Sequence, residues 1–400
     1  MSESKRLEIF ESDYYRMYTN ALRLIGLWPF ECTYRQRIIR FFIIILLITF
    51  TILQGIRLYE EFGQNLDIVL ELIGSITFFI GCILKYIVTI QTQSMFQFLY
   101  EQIQSHWEIV TNRERRILEQ SANDSQFFTK LYMGAAYGAL IVYVSTPIIV
   151  PNVLDVVIPL NESRAKTFPY FIEYFIDTEV YYYQLMAHGT LCFTISALVY
   201  VSIDTMYATC SQHLCSLFDV VEYRLEKASK TDSKMNVNLD LNGNDKNIYK
   251  LLNEAIVLHQ DSLEFALFIE NTYASCFLPV LGLYLTSIVI VAVDIVINLG
   301  DMNQIIRLSI LYFAFSFHVF FNCVPGQKIH DKSVSIMNSA YFSEWYNLPL
   351  EAKKLIQIII HRSSIPCKFT AGGIVVLNVE NFIVIMKSTL SYITLLSSIR

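Results

Sequence analysis

Apolar residues are gathered along the chain into blocks of about twenty, the length at which a helix crosses a ~30 Å hydrocarbon layer. Seven blocks qualify: residues 38–56, 67–90, 131–150, 181–207, 265–298, 305–324 and 374–398. Residues 265–298 as one helix would reach ~50 Å, so part of that block must extend into water. The fourth block runs on through CSQHLCSLFDVVEYRLEKA, where Leu214, Leu217, Phe218, Val221 and Leu225 recur at helical spacing beside Asp219, Glu222 and Arg224. That pattern predicts an amphipathic helix below the membrane. The Asn- and Asp-rich stretch at 229–247 reads as a mobile loop, with a helix resuming from Ile248. A further helix is expected over Pro349–Ile360, with Pro349 near its first turn and Pro366 closing the region. The predicted fold is an all-α membrane protein of seven transmembrane helices with an intracellular helical anchor.

Composition agrees with lipid as the solvent: of 400 residues 54% are hydrophobic, 14% aromatic and only 16% charged, where a soluble domain sits nearer a quarter charged. The start, MSESKRLEIFESDYYRMYTN, lacks a short apolar core followed by a small-residue cleavage site, so the first span is expected to act as its own anchor. Basic residues stay on the cytoplasmic side of a membrane. Twenty-three Lys and Arg residues fall in 1–40, 92–130, 209–262 and 325–373, while only Arg57, Arg164, Lys166 and Arg400 fall on the opposite side. The N-terminus is therefore predicted inside and the C-terminus outside, the reverse of G-protein-coupled receptors. The sequon Asn161-Glu-Ser163 then lies outside, where glycosylation is expected at Asn161, and the sequon at Asn123 is cytoplasmic and silent. Cys82, Cys192, Cys276 and Cys323 fall in spans and Cys32, Cys210, Cys215 and Cys367 in cytoplasmic segments, which leaves no extracellular disulfide. The net charge of −6 is spread thinly, with no basic patch for nucleic acid.

Catalysis is not expected, because the seven histidines are scattered singly and no HExxH, CxxC, GxSxG or GxxxxGK[ST] pattern occurs. No metal or other cofactor is implied, and His188 and His318, inside spans, read as packed or pore-side residues rather than ligands. Glu71, Lys85, Asp204, Glu270, Asp294, Glu380 and Lys387 lie within spans, where charge is costly and faces protein or water by default. Several sit near span ends, where snorkelling suffices. Glu380 and Lys387 share nearly one face of the last span, and a water path and structural pairing both fit that placement. The organisation expected is a cytoplasmic segment 1–37, spans 1–4 over 38–208, a cytoplasmic helix and loop over 209–262, spans 5–6 over 263–324, anchor helices over 325–373, and the last span over 374–400.

The C-terminal quarter carries a resemblance. FFNCVPGQKIHDKS, SAYFSEWYNLP, KKLIQIIIHRSSIPCKFTAGG and KSTLSYITLLSSIR closely resemble the signature region of insect odorant receptors. The matching residues are Cys323, Gly326 and Ser333, then Ala340, Tyr341, Trp345, Tyr346 and Pro349, then Lys353, Lys354, Arg362, Pro366, Thr370, Gly372, Lys387, Ser391 and Tyr392. LRLIGLWP at 22–29 looks like the family's motif before the first span. Gustatory receptors share the architecture but usually close on a Thr-Tyr pair and a Gln-Phe ending, where this chain closes on SYITLLSSIR. The universal co-receptor subunit carries a long insertion between its fourth and fifth spans that this chain lacks, so the resemblance is to an odour-tuned subunit.

That resemblance implies a tetramer with odorant receptor co-receptor subunits around one cation pore, in the plasma membrane of olfactory neuron dendrites, opened by a small volatile ligand. The last span would line the pore. Ser388, Tyr392, Leu395 and Ile399 share one helical face and end in an apolar ring candidate, the residues matching the family's hydrophobic gate being Leu395 and Ile399. Helical spacing alone reads the same stripe as packing against a neighbour. A pocket for volatiles should be concave and mostly apolar with a few orienting polar groups. Aromatic and adaptable residues in the outer halves of spans supply candidates: Phe78, Tyr143, Pro147, Tyr183, Met186, His188, Tyr312 and Phe313. Taken singly, each reads as ordinary interhelical packing before it reads as a ligand contact.

Overall fold

The computed structural model describes residues 8–157, 168–233, 241–300 and 302–399. Its helices are α1 Glu8–Glu11, α2 Arg16–Leu24, α3 Thr33–Glu61, α4 Leu66–Gln91, α5 Gln93–Ile109, α6 Asn112–Val157, α7 Tyr182–Ser233, α8 Leu241–Ile297, α9 Met302–Phe342, α10 Leu350–Ser363 and α11 Val379–Ile399. Two short strands, β1 Thr370–Ala371 and β2 Val375–Val376, pair antiparallel with Thr370 opposite Val376. Six of the helices, α3, α4 and α6–α9, are long and apolar enough to cross a membrane, and α11 supplies the seventh span.

The helices overrun the apolar blocks, and α9 continues through Pro325 and Gly326 just past the sixth block. α7 and α8 hold 52 and 57 residues, ~78 Å and ~85 Å of helix, more than twice a hydrocarbon layer. The predicted loop at 229–247 is correspondingly shorter: α7 runs to Ser233 and α8 begins at Leu241, before Ile248, with 234–240 outside the described residues. The segment 92–130, read from hydropathy as a connection, is α5 and the first part of α6. Phe96, Leu99, Tyr100, Ile103 and Trp107 recur at helical spacing and are all buried, a periodic signal that a search for apolar runs passes over. The expected amphipathic face is present, with Leu214, Leu217, Phe218, Val221 and Leu225 all fully enclosed.

These extensions bundle with α1, α2 and α10 into an anchor body at one end of the spans. Arg224 on α7 donates from Nε and Nη2 to the Glu114 carboxylate of α6 at 2.7 and 3.2 Å, and from Nη1 to the Glu254 carbonyl of α8 at 2.9 Å. Burial alone would raise the Glu114 carboxyl, but Arg224 and the Thr111 amide hold it below the usual range. His106 of α5 lies 3.1 Å from His213 of α7 and 3.1 Å from Asp261 of α8. Burial keeps both imidazoles below the ordinary histidine value, despite the opposing pull of Asp261 on His106.

The pre-span motif at 22–29 has a physical reading. α2 ends on Leu24, and Gly26 at φ +69° takes the left-handed position that closes the helix, with the Leu27 amide bonded to the Leu22 carbonyl at 2.8 Å. The turn drives Leu22, Ile25 and Trp28 into the anchor, where Trp28 packs on Phe10 and Tyr100 at 5.6 and 5.0 Å between ring centres.

The C-terminal signature binds the anchor to the last helix. Gly372 at φ +60° and Gly373 at φ +72° turn the β1–β2 hairpin, so residues 374–378, assigned from sequence to the last span, are hairpin and linker, and the helix starts at Val379. The Gly372 amide bonds the Ala274 carbonyl of α8 at 2.9 Å, Thr370 Oγ1 donates to Glu270 at 2.7 Å, and the Cys367 amide donates to Ser333 of α9 at 2.9 Å. At Gly326 of α9 an added Cβ would fall 2.0 Å from the Leu377 carbonyl oxygen, so helix and linker touch backbone to backbone. Gly326→Ala must push the entry to α11 away, at an overpacking cost of about 1–3 kcal/mol or more. Surface labelling of cells expressing the full chain should show a several-fold drop, whereas Gly282→Ala, which meets nothing within 4 Å, should be neutral. Equal surface levels would mean that the contact is dispensable.

Candidate functional site

Between α4, α6, α7, α8 and α9, toward the ends away from the anchor, lies a cavity of about 140 Å³, roughly ten times the space that holds one water. Small side chains on α6, Ala135, Ala136 and Ala139, leave the room, and aromatic rings make the opposite wall. Phe78 of α4 stacks on Phe193 and Phe315 at 6.3 and 5.8 Å and contacts Tyr200 at 5.2 Å. Tyr200 donates to the Phe78 carbonyl at 3.0 Å, which fixes both rings. A wall of this kind offers a guest dispersion contact and little hydrogen bonding.

Polar groups are confined to the two ends. Away from the anchor, Glu71 of α4 pairs with Arg307 of α9 at 2.5 Å, and Arg307 also donates to Gln304 at 2.6 Å and to the Pro169 carbonyl at 3.3 Å. Asp294 of α8, also on the wall, accepts from Asn298 at 2.8 Å. Toward the anchor, Tyr132 of α6 donates to Asp204 of α7 at 2.7 Å, His318 of α9 lies 2.8 Å from the Tyr132 hydroxyl and 3.0 Å from Asp204, and Lys85 of α4 binds the second Asp204 oxygen. Lys85 and Asp204 are 1% and 0% exposed, so neither snorkels and each depends on the other.

Of the eight pocket candidates from sequence, Phe78, Tyr143 and Phe313 line this cavity. The Tyr143 hydroxyl is engaged with the Pro169 carbonyl, leaving its ring face for a guest. Tyr312 packs against the core beside the cavity rather than on its wall, Pro147 lies farther along α6, and Tyr183 is 70% exposed at the start of α7. Met186 is buried, and His188 is held by Tyr174 at 2.9 Å, under the loop that enters α7. That loop is clamped where Tyr170 donates to the Leu185 carbonyl at 2.8 Å and lies on Gly189, whose absent Cβ would fall 2.0 Å from the ring. Ser388, Glu380 and Lys387 are exposed on α11. The side chains of Tyr392, Leu395 and Ile399, and the whole of Asn161, lie outside the described residues.

Sequence reasoning passed over Arg307, whose single charge is averaged away in an apolar window, and Ala135, Ala136 and Ala139, whose spacing on one helix face was the available sign of a void. Tyr132, Tyr200, Tyr284 and Phe315 also line the cavity without having been singled out. Among the described residues no cluster of His, Cys, Asp and Glu suits a metal ion.

The family model described as 7tm Odorant receptor matches residues 65–390. A Drosophila melanogaster protein, "Putative odorant receptor 92a", is 23% identical over 231 residues, 57% of this chain and 52% of that one, so the match spans about half the relative's length. Two solved structures of the insect olfactory receptor OR5 from Machilis hrabei, one in complex with eugenol, superpose with a TM-score of 0.77 at 14% identity over 97% of this chain and 100% of theirs, a likeness of fold. The family match takes in the spans from α4 onward, the cavity and most of the C-terminal signature, and the chain belongs to the 7tm odorant receptor family, a family of receptors and not of enzymes.

Proposed function

We propose that this chain is an odour-tuned subunit of a heteromeric, non-selective cation channel, binding a small volatile between its spans and opening the pore in the plasma membrane of olfactory neuron dendrites. The aromatic cavity carries this reading: its size and apolar lining suit a small organic guest, and its polar ends can orient one. Relatives support it too, since a similar fold has been solved with eugenol bound. The partners are co-receptor subunits completing a tetramer, with α11 lining the pore and Ser388, Tyr392, Leu395 and Ile399 on its pore face. Binding opens the gate only by favouring the open state, because equal affinity for both states shifts no population. Currents recorded from cells co-expressing this chain and the co-receptor, against a panel of volatiles, test the reading. Odour-evoked current that requires both chains is expected; silence across a broad panel with both at the surface would overturn it.

The same reading places the N-terminus and the anchor in the cytoplasm, on the 23 to 4 division of basic residues. Tags at the N-terminus should be hidden in intact cells and tags after Arg400 accessible. Asn161→Gln should abolish any glycosidase-sensitive mobility shift and Asn123→Gln should leave it intact. Reversed labelling, or a shift that depends on Asn123, defeats this orientation.

A further inference from the structure

At the end of the cavity away from the anchor, the carboxylate of Glu71 is half used. One oxygen, Oε2, receives Arg307 at 2.5 Å, and the other, Oε1, is buried with no hydrogen-bond partner among the described residues. Arg307 is already committed to Glu71, Gln304 and the Pro169 carbonyl. Across the same space Asp294 is 2% exposed and bonded through Oδ1 to Asn298. Two carboxylates thus stand with one guanidinium at this end of a cavity whose wall between its polar ends is mostly aromatic and aliphatic. A buried acceptor without a donor is costly, so the unpartnered oxygen favours a guest that brings N–H or O–H.

We propose that Glu71, with Asp294 beside it, is the specificity-determining acceptor of this receptor, selecting volatiles that carry a hydrogen-bond donor, an amine or a hydroxyl group, on an apolar body. The inference rests on the cavity being the odorant site. The donor occupies Glu71 Oε1, while the apolar body lies on Phe78 and the small face of α6. No proton need be transferred, since Glu71 Oε1 acts only as a hydrogen-bond acceptor.

Matched ligand pairs on the unaltered receptor, co-expressed with the co-receptor, test this without any risk to folding. A primary alcohol or phenol against its methyl ether, and a primary amine against its trimethylated ammonium, differ chiefly in the donor. A bond to a buried acceptor that otherwise lacks a donor should make the donor-bearing member about ten- to a hundredfold more potent. Glu71→Gln keeps an oxygen for Arg307 but removes the charge, and Asp294→Asn does the same across the cavity. Either should weaken amines several-fold more than ethers, with surface level checked in parallel. Donor and ether analogues of equal potency would overturn the inference while leaving the cavity reading intact. So would an unchanged rank order in surface-expressed Glu71→Gln. Absence of current with every class of volatile would instead count against the odorant reading.

Discussion

Replacing Lys85 by Met is expected to remove most of the receptor from the cell surface. The ammonium is 1% exposed, bound to Asp204 and set over the rings of Tyr200 and Phe277 at 5.2 and 5.9 Å. Without it, Asp204 keeps, among the described residues, only the Tyr132 hydroxyl and His318 as partners in a fully buried site. Breaking a buried pair by deleting one partner costs about 3–5 kcal/mol, chiefly the penalty of the charge left behind. That is a large part of the ~5–15 kcal/mol by which folded proteins are stable. Asp204→Leu, which strands Lys85, should be comparably damaging. Removing both charges, as Lys85→Met with Asp204→Leu, should restore surface expression substantially, because Tyr132 and His318 still have each other at 2.8 Å and an apolar pair carries no desolvation penalty. Surface biotinylation and thermal aggregation of the detergent-extracted protein would read all three. Single variants at normal surface level, or a double variant no better than either single, would show that the pair is not what holds α4 to α7.

The pair also shows where sequence reading stops. Hydropathy located the spans, because the bilayer imposes a length that no soluble core imposes; the second block, 67–90, lies within one residue of α4 at each end. It flagged Lys85 and Asp204 as costly charges, but their pairing joins residues 119 apart in sequence and follows from how α4 and α7 pack. The anchor was partly legible: the face at Leu214, Leu217, Phe218, Val221 and Leu225 is periodic and was found, whereas Phe96, Leu99, Tyr100, Ile103 and Trp107 have the same period in a segment too polar for an apolar-run search. The hairpin before α11 was missed because its strands are two residues each, below any pattern length, and depend on two glycines with positive φ. For the cavity, choosing large residues in the outer halves of spans reached Phe78, Tyr143 and Phe313. It could not fix the rotation of each helix, which leaves Met186 buried off the cavity wall and sets His188 against Tyr174 of the loop instead. A void is marked as much by what is small, and GAAYGAL at 134–140 carried that information.

Filling that void should silence the receptor without unfolding it. Ala139 lies on the α6 face that borders the cavity, one turn from Ala135 and Ala136 and one turn from Tyr143. A phenyl group there projects into about 140 Å³ of empty space and so displaces a guest rather than a packed neighbour. Overpacking normally costs about 1–3 kcal/mol because the surroundings must move; here the ring has space to enter and should gain contact with the aromatic wall. Ala139→Phe is therefore expected to reach the surface at near-normal level and to shift agonist dose-response curves by a hundredfold or more, or to abolish responses. Ala139→Ser, which adds one oxygen and little volume, should shift them far less. The contrast separates exclusion of the guest from damage to the fold, because damage would reduce surface labelling together with the current. A surface-expressed Ala139→Phe receptor with unchanged responses across the panel would place the ligand elsewhere in the bundle. Fading responses accompanied by lost surface label in both substitutions would instead assign this face of α6 to packing.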